Sequence, residues 1–191
     1  MQSLSVKGKY LSIKVIPNSR YPQGVVTIAL PIKVNPIILH TLVHGATSSC
    51  LYDTKLLDQT IVAYTAYQRL RNSLLASPLA MAQHKVTSMS CGANDTELII
   101  SAVCDKSITS LRKTAGTLLK GLRFSVLMQD YKKICVAIGV KPDTDAFNYA
   151  VEQCNNSLDR NVSIAFTGKI KTDRETLNKV LDVLENKVAE P

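Results

Sequence analysis

Apolar residues along this chain recur at two periods, and the order in which the periods alternate is its strongest constraint on fold. A period of two runs through Leu11, Ile13 and Val15 against Tyr10, Ser12, Lys14 and Ile16, which predicts a strand whose two faces meet different surroundings. Turn chemistry follows in Pro17-Asn18-Ser19-Arg20-Tyr21-Pro22-Gln23-Gly24. The β-branched segment 25–34 is then expected to return as the second arm of a hairpin, with Pro31 marking a strand end, edge or bulge.

Helical spacing takes over in segment 36–46, where a proline suits a first helical turn and His40 and His44 share a face. Residues 54–75 read as a helix, with Leu57, Ile61, Tyr64 and Gln68 on one stripe and Leu56, Ala63, Tyr67, Leu70 and Leu74 on the next. Ser77-Pro78 ends it, and a short helical piece is expected over 79–84. Two strands, 85–91 and 97–104, flank the turn Gly92-Ala93-Asn94-Asp95.

The most amphipathic central helix follows, capped by Asp105 or Ser107 and carrying Ile108, Leu111, Ala115, Leu118, Leu119 and Leu122. Further helices are expected over 126–138 and from Asp143 or Thr144 to about 155, then a strand over 162–166 closed by Gly168. Thr172-Asp173-Arg174-Glu175 reads as a capping box ahead of Leu177, Val180, Leu181, Leu184 and Val188. The fold class is therefore α+β: a mixed, largely antiparallel sheet with helices packed on one face, forming a single domain over 1–191.

Hydrophobic residues make up 46% of the chain and charged residues 20%, which excludes a disordered or fibrous class. No segment is apolar enough to span a bilayer, and the N-terminus lacks the apolar run of a secretory signal. The five cysteines are widely spaced with no C-x-x-C pair, so reduced thiols in a cytosolic-type compartment or an intracellularly assembled particle are expected, not secretion. A mitochondrial setting is kept open. The net charge of +8 would draw nucleic acid, anionic lipid or an acidic protein surface. Most of it is dispersed, and Arg112, Lys113, Lys120 and Arg123 form one candidate basic patch.

Four stretches, taken in order, resemble the inverted-zincin metallopeptidases: pitrilysin, insulin-degrading enzyme and the mitochondrial processing peptidases. Leu39-His40-Thr41-Leu42-Val43-His44-Gly45 resembles the L-x-H-x-x-E-H segment, and Asn94-Asp95-Thr96-Glu97-Leu98 resembles the turn and strand before the family's long helix. Ile108 to Arg123-Phe124 resembles that helix, and Asn161-Val162-Ser163-Ile164-Ala165-Phe166-Thr167-Gly168-Lys169-Ile170 resembles the closing strand.

The resemblance implies two zinc-binding histidines, a motif glutamate acting as general base, and a third ligand in a V-x-x-E-I-like segment. Here Val43 stands at the base position and Gly139, in Val136-Ala137-Ile138-Gly139-Val140, at the third-ligand position. Loss of a general base alone costs about 10²–10⁴-fold in rate. No catalytic residue, cofactor or bound metal is therefore expected. His40 and His44 are the weak metal candidates, read chiefly as core or interface histidines bonded to backbone, and His84 with Cys91 is a fainter ligand set. No P-loop, G-x-G-x-x-G or G-x-S-x-G motif offers another chemistry.

The function implied is that of a non-catalytic peptidase-like domain serving as a structural or assembly subunit beside other subunits or a second copy. One alternative is a peptide-binding module that uses the vestigial cleft or a sheet edge. Another is a basic, nucleic-acid-associated structural protein, for example of a viral particle.

Overall fold

The computed structural model describes residues 3–20, 23–45, 55–75, 86–94, 96–104, 107–124, 126–159 and 161–189. Its strands are β1 (Leu4–Lys7), β2 (Leu11–Pro17), β3 (Gly24–Leu30), β4 (Ser88–Ala93), β5 (Leu98–Cys104) and β6 (Val162–Gly168). Its helices are α1 (Pro36–Val43), α2 (Leu57–Leu75), α3 (Ile108–Phe124), α4 (Met128–Ile138), α5 (Thr144–Ser157) and α6 (Arg174–Ala189). The expected Ser77-Pro78 stop, the helical piece over 79–84 and the Asp105 cap lie outside the described residues.

The strands form one sheet in the order β1-β2-β6-β3-β5-β4, in which β2 and β6 alone run parallel. The expected hairpin between β2 and β3 is corrected here: β6 lies between them and pairs with both. A local turn signal reports that the chain reverses, not that the two arms touch. The end of β6 lies beside the residues that leave β2, with the Asn18 amide donating to the Gly168 carbonyl at 2.9 Å. Gly168 has φ +140° and a Cβ there would stand 2.5 Å from the Gln23 carbonyl oxygen, so only glycine suits this approach.

Alternation decides which face is covered. Ile13, Val15, Val26, Ile28, Ile100, Ile164 and Phe166 are no more than 2% exposed, and each fully buried side chain of this kind contributes roughly 1.5–3 kcal/mol. Their neighbours Ser12, Lys14, Thr27, Ser101 and Ser163 are only half-buried or exposed. α3 and α6 lie on the apolar face, with Leu111, Leu118, Leu177 and Leu184 completely buried. Ser107 caps α3, its hydroxyl accepting from the Ser110 amide. Asp173, not Thr172, caps α6, accepting from the Thr176 amide at 2.7 Å.

A second apolar cluster joins α1, α2, α4 and α5 through Ile38, Leu42, Ile61, Val62, Tyr131, Ile138 and Phe147. It sets α1 and α2 against β4 at one end of the sheet. Among the described residues, no helix is long and apolar enough to cross a membrane.

Candidate functional site

α1 is placed by a buried polar knot. The Asn35 side chain accepts from the Ile37 and Ile38 amides, the Asn35 backbone N–H donates to the Thr60 hydroxyl at 2.9 Å, and that hydroxyl donates to the Leu56 carbonyl. An asparagine cap and a proline in the first turn start the helix, and Ile38, Leu39 and Leu42 turn inward. His40 and His44 are consequently left on the outer side. Their rings stand 4.3 Å apart at 45°, as a pair four residues apart in a helix allows. Both are exposed, so of the core or interface setting expected for them the core half is corrected: the apolar stripe of α1 faces its neighbours and the histidines do not belong to it.

At the end of α1, Val43 and His44 border a cleft of about 540 Å³ between α1, α2 and β4. One face of α2 supplies Tyr64, Tyr67, Gln68, Arg71 and Asn72, and β4 supplies Met89, Ser90 and Cys91. Among the described residues, no carboxylate lines it. Burial holds the Tyr64 and Tyr67 phenols above their ordinary range, so both keep their protons. Burial also pushes the Cys91 thiol up to about 12. The Arg71 guanidinium lies close to the Tyr67 hydroxyl and offsets part of that phenol's rise. Neighbouring Arg69, by contrast, is neutralised by Asp130 at 2.8 Å.

Two exposed imidazoles beside a cleft that contains a fixed cation do not fit a zinc ion. No third His, Cys, Asp or Glu joins the pair among the described residues, and the protonated Cys91 thiol is a poor ligand. His84 lies outside the described residues. Gly139 is the left-handed cap of α4, with φ 75° and its amide bonded to the Cys135 and Val136 carbonyls, and it does not line the cleft. A glutamate there would be strained at the backbone. Asp143 is spent capping α5.

The candidate basic residues share one arc of α3, since positions 112, 113, 120 and 123 fall within about a quarter-turn of each other at 3.6 residues per turn. Arg123 is paired with Asp159 at 2.9 Å, while Lys187 of α6 reaches over Gly116 into the same arc. Cys91 apart, the cleft residues of α2 and β4 are those whose place at a site sequence reading missed. Their signal is faint: Gln68, Arg71 and Asn72 interrupt the apolar stripes at helical spacing.

The overall architecture matches solved peptidase structures. A structure described as an M16-like peptidase, from Alicyclobacillus acidocaldarius, aligns over 97% of this chain and 50% of that one, with 10% identity and a TM-score of 0.59. The chain has an M16-like peptidase fold. A peptidase M16 inactive domain from Pseudomonas fluorescens aligns over 99% of this chain and 50% of its own length at 8% identity and a TM-score of 0.48. The chain thus spans about half the length of the solved structures it matches. No protein-family model and no curated protein matches the sequence.

Proposed function

We propose that this chain is a non-catalytic peptidase-like domain serving assembly: it holds an extended segment of a partner as an added strand on β4 and does not cut it. The observation that carries this reading is a sheet edge that no described residue covers, running beside a cleft whose described lining holds no carboxylate. The Asn94 amide donates to the Glu97 carbonyl, and the β4–β5 register continues unbroken from that pair. By antiparallel alternation Met89, Cys91 and Ala93 therefore turn their amides and carbonyls away from β5. Among the described residues, nothing pairs with that side. β4 also carries no charge or proline, the devices that usually blunt an edge.

Val43 borders the cleft where the resembled motif has its glutamate, and valine cannot take a proton from water. The partner is proposed to be another subunit or a second copy, in a reducing compartment. The test is incubation with unstructured peptides and zinc. Binding without cleavage is expected, and Val43→Glu should not restore cleavage, because Gly139 still supplies no ligand. Zinc-dependent cleavage by the unaltered chain, lost on chelation, would overturn the reading.

A second reading rests on the α3 arc, where Arg112, Lys113, Lys120 and Lys187 have no acidic partner among the described residues. Such an arc suits a phosphate backbone. Retention on nucleic acid should then fall steeply with salt as counterions are displaced, and retention that is flat across salt would remove this reading.

A further inference from the structure

The cleft beside β4 has the opposite electrostatic character from a metal site. Its described lining holds one fixed cation, Arg71, and no carboxylate. The remaining polar groups include hydrogen-bond donors: the Tyr64 and Tyr67 hydroxyls, the Gln68 and Asn72 amides and the Ser90 hydroxyl. Burial keeps the phenols and the Cys91 thiol protonated, so none of them supplies negative charge near neutral pH.

Two arginines two residues apart on α2 make the point by contrast. Arg69 has its carboxylate, Asp130, within the chain. Arg71 points to the other side and, among the described residues, has no carboxylate partner. Its contact is the neutral Tyr67 hydroxyl.

We infer that this cleft binds the carboxylate of an acidic side chain carried by the extended segment held at β4, with Arg71 as its counter-ion. A strand added along β4 runs past Met89, Ser90 and Cys91, and its alternate side chains project toward the cleft. A guanidinium is the group best shaped to meet a carboxylate. This inference rests on the strand-addition reading, and it names the class of segment that is held: acidic peptide.

The experiment uses peptides of equal length with both ends blocked, built from alternating valine and threonine to favour an extended backbone. They are identical except for a central Glu, Gln or Lys. A fourth carries the central Gln and a free terminal carboxylate. Binding to the full chain is read by fluorescence anisotropy.

The Glu peptide is expected to bind roughly ten- to a hundredfold more tightly than the Gln peptide, and the Lys peptide most weakly. Arg71→Gln, its fold checked by thermal melting, should bring the Glu and Gln affinities together. Equal binding of Glu and Gln peptides, with both weakened by Ala93→Pro, overturns the carboxylate inference and leaves strand addition standing. A preference that survives Arg71→Gln, or one shown only by the free-terminus peptide, overturns the assignment to Arg71 and an acidic side chain. Binding by none of the peptides overturns strand addition and this inference together.

Discussion

At one end of the sheet β1 is four residues long, and at the other β4 is six. The outward carbonyl of Ser5 on β1 accepts from the Arg174 guanidinium at 3.0 Å, and Lys7 puts a charge on the same edge. The turn into β2 is tied down by Glu185, whose carboxylate accepts from the Tyr10 and Leu11 amides at 3.0 and 2.9 Å. All of these contacts come from α6. β4 has no such attendants among the described residues, only the cleft. One chain therefore shows an edge finished by its own side chains and, among the described residues, an edge left open, where the proposed partner strand would fit.

Glu185→Ala attacks the finished edge and should have the largest effect. It strands two amides, one of them on the fully buried Leu11, and should cost about 3 kcal/mol. Urea unfolding measures this, and Glu185→Gln, which keeps an acceptor, should recover about half. A loss below about 1 kcal/mol would mean that water serves these amides equally well.

Ala93→Pro probes the open edge. Its amide faces outward, so the β4–β5 ladder survives and the cost should be about 1 kcal/mol or less, although peptide capture is lost. A cost matching that of Glu185→Ala would show that the Ala93 amide is already bonded and that the two edges are alike.

The smallest effect is expected at Asp173, which starts the helix that guards β1. The Thr176 amide, then the Thr176 hydroxyl, hold its carboxyl below the usual carboxylate range. A lowered folded value means that its support is complete above the unfolded value, near 3.8, and is lost as pH falls through the folded one. Asp173→Asn should therefore slightly flatten the acid limb of a stability profile and leave the neutral plateau nearly unchanged.

The elements with strong local signals were legible in the sequence. The β4–β5 hairpin announces itself through Asn94, whose side chain accepts from the Thr96 and Glu97 amides. α3 and α6 follow from apolar spacing that is dense enough to define a face. β1 was missed because Leu4–Lys7 is too short to show alternation. The place of β6 was hidden because pairing over some 150 residues leaves no local trace.

The candidate site was legible in part. The peptidase-like fold could be read from the order of four segments, and Val43 does border the cleft. Arg71 could not be singled out, because a lone arginine late in a helix usually faces solvent. Arg71 is indeed exposed, and only the packing of β4 against α2 places it on the wall of a cleft.

The route of β6 through the sheet bears on how the protein is made. β2 and β3 leave the ribosome early, and the strand that joins them, Val162–Gly168, comes much later. At ordinary translation speeds that delay is on the order of ten seconds. Throughout it the growing polypeptide carries a strand-wide gap at the middle of its future sheet. Arrest of synthesis before Val162 should therefore leave the facing amides of β2 and β3 open to hydrogen exchange. When Val162–Gly168 emerges it closes the gap from within, so a strand made late is inserted between two made early.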